Sequence, residues 1–162
     1  MPTKHSAKEF EEILREKKIY QIINPRLVQA PPTIMVRDAI KLMQDHKAGY
    51  IVIVEKKKCV GIFTETDVVR RVLEQDVDWE KPVRDFMTPN PLCLKPDDSV
   101  GTAIDVMGNN RLYHIPLVDD KGELVQVISV RTLIRFLAEF YPAEVLNLPP
   151  HPNQVMTSPE GG

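Results

Sequence analysis

The feature that most constrains the fold is a repeat within the chain. The segment VRDAIKLM, which begins at Val36, returns 64 residues later as VGTAIDVM, which begins at Val100. Both segments carry apolar residues at positions i, i+3, i+4 and i+7, the spacing that forms one buried stripe of a helix. The same offset places Pro32 on Pro96. We therefore expect two similar units packed against each other, because one unit of this length cannot enclose much core alone.

Each repeat predicts the same order of elements: a strand-like lead-in, meaning the segment before its first helix, then a helix, a strand, a tight turn, a strand and a closing helix. The second repeat has one extra residue in its turn, so Thr64 aligns with Ser129 at an offset of 65. The strands YIVIV and HIPLV are apolar almost throughout, which indicates that both faces of each sheet are covered. The predicted fold class is α/β (α+β), with small sheets packed on helices.

The two ends of the chain differ from the repeats. The segment SAKEFEEILREKK opens with a capping box, in which Ser6 caps a helix and Glu9 reaches back to it. The C-terminal segment is rich in proline and polar at its end, so we expect it to be mostly irregular. The predicted segments are an N-terminal helix at 1–18, a first repeat at 19–75, a linker at 76–81, a second repeat at 82–140 and a Pro-rich tail at 141–162.

Composition excludes several classes of protein. The 21 basic and 23 acidic residues leave a net charge of -2, which is too small to indicate a nucleic-acid or acidic-substrate partner. The polar start MPTKHSAKEFEE does not resemble a signal peptide, and no apolar run approaches the roughly 20 residues that span a bilayer. Cys59 and Cys93 lie in apolar contexts that favour buried free thiols and a reducing compartment. We therefore expect a cytoplasmic protein with no membrane partner.

Motifs for catalysis and metal binding do not occur in the sequence. It contains no Walker loop, no His-Glu-x-x-His helix and no nucleophile elbow. Two isolated cysteines make no zinc cluster, and the four histidines are too scattered for a metal-ligand spacing. We therefore expect no catalytic residues, no metal site and no obligatory cofactor, so that the protein is not an enzyme.

The repeated motifs resemble those of a known family. The stretches FMTPNPLCLKPDDSVGTAIDVM and RLYHIPLVDDKGELVQVIS, together with a strand that ends in Thr-x-x-Asp, resemble the CBS motif, named after cystathionine β-synthase. The resemblance extends from about Ile19 to Phe140 and covers both repeats. It implies a stand-alone CBS domain pair, or Bateman module, whose two motifs are related by pseudo-twofold symmetry. Such modules bind adenosine-containing ligands in clefts between the motifs and often dimerise through their helices.

The strongest candidate for ligand binding is Asp67, in the strand-to-helix segment GIFTETDVVRRVL. An ionised carboxylate can accept hydrogen bonds from both ribose hydroxyls of a nucleotide. Thr64 adds a hydroxyl where the strand ends, and the free N–H groups at the start of the helix suit a phosphate. A structural interpretation also exists, in which Asp67 offsets the helix dipole and Thr64 caps the helix. The resemblance implies the ligand-binding role.

In the family, the Thr-x-x-Asp element of one motif faces the lead-in and first strand of the other. Carried over here, Met87 and the strand backbone border the base, while His114 and Arg111 are directed at phosphate. Tyr113 either stacks on the base or fills core, and His114 is alternatively an ordinary half-buried strand histidine. The implied ligand-binding set is Thr64, Asp67, Met87, Thr88, Leu92, Arg111, Tyr113, His114, Ile115 and Pro116.

The equivalent site of the second repeat departs from this pattern. Its strand ends in VISVRT, so Ser129 matches Thr64 but Thr132 replaces the aspartate. Gln126 replaces Gly61 and adds a larger side chain near the cleft. Because a threonine hydroxyl carries no charge, we expect this second site to be weak or empty. Its implied residues are Ile23, Asn24, Gly49, Tyr50, Ile51, Ser129, Arg131 and Thr132.

These features predict a regulatory module that binds an adenine nucleotide (AMP, ADP or ATP) between its two motifs. It would signal by their relative reorientation, as a homodimer, to an unknown effector protein. A ligand-independent interaction or scaffold module is one alternative, but it gives no reason for Thr64 and Asp67 beyond capping. A binder of another adenosyl compound, such as S-adenosylmethionine, would need no phosphate contacts. Single-stranded nucleic acid would need a basic groove with stacking aromatics, which the composition argues against.

Overall fold

The computed structural model describes residues 6–140, without the side chain of Phe140, and the predicted tail at 141–162 lies outside this range. It confirms the mixed fold class and the same order of elements in both repeats. The elements in chain order are α1 (Ala7–Glu16), a 3₁₀ turn (Ile19–Gln21), β1 (Gln29–Ala30), α2 (Val36–His46), β2 (Tyr50–Glu55), β3 (Lys58–Thr64), α3 (Glu65–Asp67), a π-helix (Val68–Leu73), a 3₁₀ turn (Val83–Asp85), β4 (Thr88–Pro89), α4 (Val100–Asn110), β5 (His114–Val118), β6 (Leu124–Ser129) and α5 (Val130–Phe140).

The larger sheet contains strands from both repeats. Its order is β1-β2-β3-β4, with β1 parallel to β2 and the other pairs antiparallel. Strand β4 belongs to the lead-in of the second repeat, yet it pairs with β3 of the first through Gly61 opposite Pro89 and Ile62 opposite Thr88. The smaller sheet is the antiparallel pair β5-β6, beside which Leu94 forms a parallel bridge to Leu117.

Each lead-in is bound to the other repeat through a matching set of hydrogen bonds. The amide of Ile19 donates to the carbonyl of Asp98 at 2.9 Å, and the amide of Val83 donates to the carbonyl of Ile34 at 2.7 Å. Donor and acceptor are both shifted by 64 residues between the two bonds, so the contacts obey the pseudo-twofold symmetry that the family resemblance implies.

The two hydrophobic cores are completed by this exchange of lead-ins. Helix α2 buries Val36, Ala39 and Met43, and α4 buries the equivalent residues, as the helical spacing predicts. Ile19, from the first lead-in, is fully buried in the core of the second repeat. Val83, from the second lead-in, is fully buried in the core of the first. Neither core is complete without a residue from the other repeat.

The closing helix of the first repeat differs from the regular helix that its sequence predicts. After Asp67 the chain winds as a π-helix, in which the amide of Glu74 donates to the carbonyl of Val69 at 3.0 Å. Arg71 on this turn donates from Nη1 to the carbonyl of Met87 at 2.7 Å, and its Nε lies 3.4 Å from Asp67 Oδ1. Wide π turns are uncommon and occur often at functional sites. Here the wide turn carries an arginine that joins the two repeats.

Helix α1 packs closely against α4 at Gly101, where a side chain would crowd the α1 backbone. The predicted capping box is confirmed, since Glu9 accepts from the amide of Ser6 at 2.7 Å and Ser6 accepts from the amide of Glu9 at 3.2 Å. A Cβ atom on Gly101 would lie 3.2 Å from the backbone oxygen of Leu14. By contrast, a Cβ on Gly108 of the same helix would meet no atom within 4 Å.

This difference predicts opposite effects for the same substitution at the two glycines. Gly101→Leu should lower the free energy of unfolding by about 1–3 kcal/mol, because the new side chain must displace the α1 backbone. Gly108→Leu should raise it by about 0.5–1 kcal/mol, because leucine is the better helix former. Urea denaturation of both variants beside the parent chain provides the measurement. Equal effects would contradict the close packing of α1 on α4.

Candidate functional site

A cleft of about 840 Å³ lies between the two repeats, at the ends of β3 and β6. Both repeats contribute to its walls, as the exchange of lead-ins requires. From the first predicted site, the lining includes Thr64, Asp67, Thr88, Leu92, Arg111, Tyr113 and His114. From the second predicted site, it includes Asn24, Gly49, Tyr50, Ser129, Arg131 and Thr132. One continuous cleft thus brings together most residues of both predicted sites.

The remaining predicted residues do not line this cleft, and their part in ligand binding stays a prediction. Ile51 and Ile115 are fully buried in the two cores, because successive residues of a strand face opposite sides of the sheet. Pro116 is also buried, and its carbonyl accepts from the amide of Leu94 at 3.0 Å. Met87 packs over Gly61, where an added Cβ would overlap the methionine sulfur, so it does not line the cleft.

Ile23 lines a neighbouring cavity. That cavity, of about 640 Å³, lies between the first lead-in and α5 and shares Asn24, Thr132 and Arg135 with the main cleft. The residue is therefore close to the predicted second site without bordering the larger opening.

The carboxylate of Asp67 joins the two repeats. Its side chain is 8% exposed, and Oδ2 accepts from the amide of Thr64 at 2.9 Å and from the Thr64 hydroxyl at 3.2 Å. Oδ1 accepts from the hydroxyl of Thr88, in the second lead-in, at 3.2 Å. The guanidinium of Arg71 compensates the buried charge at 3.4 Å. Both oxygens are therefore occupied, and a ribose would have to exchange with the two threonine hydroxyls.

The equivalent turn of the second repeat also leads from a strand into a helix, but without a charge. Ser129 Oγ accepts from the amide of Thr132 at 3.2 Å, and the two hydroxyls lie 3.2 Å apart. This is ordinary helix-start chemistry, in which a serine hydroxyl satisfies a free N–H group. The turn therefore forms without a carboxylate, so its geometry does not explain the presence of Asp67.

His114 and Tyr50, which are equivalent positions of the two repeats, are in contact with each other. Their ring centroids lie 4.9 Å apart at an interplanar angle of 39°. Burial, with the nearby charge of Arg131, lowers the pKa of His114 to about 4. The imidazole is thus neutral at physiological pH and is no cation for a phosphate. Of its two predicted roles, the geometry favours the half-buried strand histidine.

The cleft is positively charged although the whole chain is slightly acidic. Its lining holds the acids Glu65 and Asp67, whereas the bases are Arg26, Lys47, Arg111, Arg131 and Arg135. Of these bases, only Arg111 and Arg131 were predicted. The repeat itself could have identified Lys47, because it precedes Arg111 by 64 residues and both end a helix with positive φ, at 49° and 52°.

Tyr113 and Leu92 provide exposed apolar surface within the charged cleft. Tyr113 is 62% exposed and Leu92 is 43% exposed, so neither side chain fills core. Tyr113 occupies the position that corresponds to Gly49 of the first repeat. Of its two predicted roles, exposure favours an aromatic face available to a ligand.

No group of three or more His, Cys, Asp or Glu side chains between residues 6 and 140 could hold a metal ion. In the same range, no helix has the length and apolar character needed to cross a membrane.

The bond between Asp67 and Thr88 can be measured by a double-mutant cycle. Combining Asp67→Ala with Thr88→Val should reveal a coupling of about 0.5–1.5 kcal/mol in the free energy of unfolding. Thr102→Val is the matched control, because its hydroxyl contacts Ser99, the residue just before α4, rather than Asp67. Its effect should add to that of Asp67→Ala, and a similar coupling there would contradict the specific contact.

The lowered pKa of His114 predicts a pH dependence of stability. The unfolded chain protonates this histidine below its ordinary pKa of 6.5, whereas the folded chain resists protonation until about pH 4. The free energy of unfolding should therefore fall as the pH decreases from 6.5 towards 4. Between pH 7 and pH 5 the parent chain should lose roughly 1–2 kcal/mol more than His114→Gln.

Urea denaturation at the two pH values tests this expectation, with His46→Gln as a control at an exposed histidine. If the stability of the parent and of the His114→Gln chain depends equally on pH, folding does not lower the pKa of His114, and the expectation is contradicted.

Sequence comparisons point to one family. The chain matches the CBS domain family over residues 11–74 and 83–139. It is 31% identical to a 17.7 kDa protein of Acidianus ambivalens over 125 residues, covering 76% of this chain and 75% of that protein. It is 31% identical to the inosine-5'-monophosphate dehydrogenase of Methanocaldococcus jannaschii over 120 residues, but spans 74% of this chain and only 23% of the enzyme.

Solved structures with the same fold include complexes with adenosine compounds. A CBS domain protein of Pyrobaculum aerophilum complexed with AMP has a TM-score of 0.69 at 24% identity, covering 78% of this chain and 99% of that one. The CBS domain pair of protein MJ0100, in complex with 5'-methylthioadenosine and S-adenosyl-L-methionine, has a TM-score of 0.69 at 24% identity and covers 75% and 99%. The family match covers both repeats, which exchange their lead-ins and enclose a cleft between them. The chain therefore belongs to the CBS domain family and forms a CBS domain pair.

Proposed function

We propose that this CBS domain pair is a regulatory module that binds an adenine nucleotide in the cleft between its repeats. The observation that carries the proposal is Asp67, a buried carboxylate that the equivalent turn of the second repeat lacks. It lies on the wall of a cleft whose other charged groups are mostly basic. An acceptor for ribose and cations for phosphate are the complementary groups that a nucleotide requires.

The ribose contact follows from an exchange of hydrogen bonds. In the structure, the hydroxyls of Thr64 and Thr88 both donate to the carboxylate of Asp67. Ribose hydroxyls can replace these donors one for one, so the buried charge would never lose its hydrogen bonds. The exchange would release Thr88 from Asp67 and thereby loosen one link between the repeats.

The charge of the cleft favours a phosphorylated ligand over a cationic one. Five basic and two acidic side chains line the cleft, and the neutral imidazole of His114 adds no charge. AMP, ADP and ATP carry negative charge that such a cleft attracts, whereas the sulfonium group of S-adenosylmethionine is positive. The complex of the Pyrobaculum relative with AMP supports the nucleotide. Because the MJ0100 domain pair was solved in complex with S-adenosyl-L-methionine, that compound is the alternative ligand to test.

Regulation would act through the relative orientation of the repeats. A ligand shifts an equilibrium between two arrangements only by its difference in affinity for them. Since Asp67 and Arg71 contact the second lead-in, a ligand at Asp67 would favour one arrangement. The module would act without catalysis, in the cytoplasm, and pass the change to an effector protein.

Exposed apolar residues on the two closing helices support the predicted homodimer. Val69 and Ile134 are equivalent positions 65 residues apart, and they are 50% and 59% exposed. Burial of such side chains in a second copy would remove apolar surface from water.

A ligand-independent scaffold is the second candidate, and one specific observation favours it. Both carboxylate oxygens of Asp67 already have partners within the chain, so a structural role alone would also account for this residue. The two functions differ in what they predict when nucleotide is added.

Thermal denaturation with AMP, ADP, ATP and S-adenosylmethionine distinguishes the functions. A nucleotide at about 100 times its Kd should stabilise the parent chain by about 2.7 kcal/mol. Asp67→Asn keeps the shape of the side chain but removes its charge, and should lose most of this stabilisation. Asp105→Asn, which removes an exposed acid of α4, is the matched control and should retain it.

If none of the adenosine compounds stabilises the chain, the result contradicts the sensing function and favours the scaffold. Equal stabilisation of the parent and the Asp67→Asn chain would remove the ligand from the proposed site. A response to S-adenosylmethionine alone would overturn the nucleotide in favour of that compound.

A further inference from the structure

The two cysteines of the chain meet where the second lead-in crosses from one sheet to the other. Cys59 lies in β3, and Cys93 follows β4, one residue before the bridge of Leu94 to the smaller sheet. The antiparallel pairing of β3 with β4 continues to a bond of 3.1 Å from the amide of Asn90 to the carbonyl of Val60. This pairing carries the following residues of the lead-in past Cys59.

The two thiols are neighbours across this crossing, and each perturbs the pKa of the other. Cys59 Sγ lies 3.7 Å from the carbonyl oxygen of Gly61, and Cys93 Sγ lies 3.3 Å from that of Pro91. Both cysteines are free and half-buried, which corrects the expectation of fully buried thiols and leaves them accessible to a small reagent.

The fold itself does not require sulfur at these positions. In the second repeat, Val118 pairs with Leu124 as Val54 pairs with Cys59. Gln29 of β1 corresponds to Cys93, since both precede the residue that bridges to the first long strand of their own repeat. Leucine and glutamine thus occupy the equivalent places, so the cysteine pair is a feature of one repeat only.

The interaction between the two thiols makes them unequal. The neighbouring Cys59 lowers the pKa of the Cys93 thiol, whereas Cys93 and burial together raise the pKa of the Cys59 thiol. The thiolate is the nucleophile in thiol–disulfide exchange. Cys93 is therefore the group that attacks first, with Cys59 beside it to complete the exchange.

We propose that Cys59 and Cys93 are a dithiol modification site that forms a reversible intramolecular disulfide with a small disulfide oxidant such as oxidised glutathione. The thiolate of Cys93 attacks one sulfur of the oxidant, forms a mixed disulfide and expels the first glutathione thiolate. Cys59 then loses its proton and attacks Cys93 Sγ, which expels the second glutathione thiolate. In sum, two S–H bonds are replaced by one S–S bond, and two electrons reduce the oxidant to two thiols.

Such a bond would tie the second lead-in to β3. Thr88, Pro91 and Leu92 of that lead-in line the cleft, as does Ile62 of β3. Oxidation would therefore fix one wall of the cleft in place, while reduction would release it. Formation of the disulfide does not depend on whether the cleft binds a nucleotide.

Peptide mapping of the oxidised full chain tests the proposal. Trypsin cleaves after Lys58, Arg70, Arg84 and Arg111, so the disulfide should join peptide 59–70 to peptide 85–111. After equilibration with oxidised glutathione, the non-reduced digest should contain this cross-linked pair, and dithiothreitol should separate it. The oxidised chain should melt roughly 5–15 °C higher than the reduced one, because a cross-link restricts the unfolded state.

Cys59→Ser and Cys93→Ser are the matched controls, and neither should gain thermal stability from the oxidant. Cys59→Ser should retain a stable glutathione adduct on Cys93, the mixed disulfide that lacks its resolving partner. Adducts on both cysteines of the parent chain, cross-links between two chains, or two unreacted thiols would each overturn the proposal.

Discussion

The two repeats depend on the exchange of their lead-ins. Ile19 is buried in the second core, and Val83 is buried in the first. Each lead-in is also bound through its backbone to the turn before the helix of the other repeat. Separating the repeats would therefore expose apolar surface and break paired backbone hydrogen bonds at the same time. The exchange also determines where a ligand could act, because it makes the wall of the cleft from both halves of the chain.

Asp67 is a buried charged residue at the junction between the two repeats. A buried carboxylate is costly unless it is hydrogen-bonded and compensated, and here threonines from both repeats and Arg71 do so. The second repeat builds the same turn from Ser129 and Thr132 and avoids the cost. If a ligand replaces the threonine donors, as proposed, the charge has a role beyond the turn itself.

Much of the fold could be predicted because the two repeats each predict the same elements in the same order. The stripes of α2 and α4 and the strand pairs follow from periodicity alone. The π-helix could not be predicted, because its wide turn coincides with the tertiary bonds of Arg71, which lie outside local propensity. The lengths and mutual pairing of the edge strands likewise depend on contacts between distant parts of the chain.

The residues of the candidate site could be predicted where they belong to a recognisable motif. They were harder to predict where side-chain packing determines their position or charge. Asp67, Thr64 and Thr88 lie together as the resemblance implies. Met87 lies outside the cleft, because Gly61 leaves a space that its side chain fills. The charge of His114 depends on burial by neighbours that sequence order does not bring together.

The role of Asp67 rests on the ribose hydroxyls, so the most direct measurement compares the affinity of ATP with that of 2',3'-dideoxy-ATP by calorimetry. If the carboxylate binds the ribose, the dideoxy compound should bind the parent chain at least roughly tenfold more weakly, the loss of a hydrogen bond to a charged group. The Asp67→Asn chain should show little of this difference. Equal affinity of the parent chain for the two compounds would contradict the ribose contact.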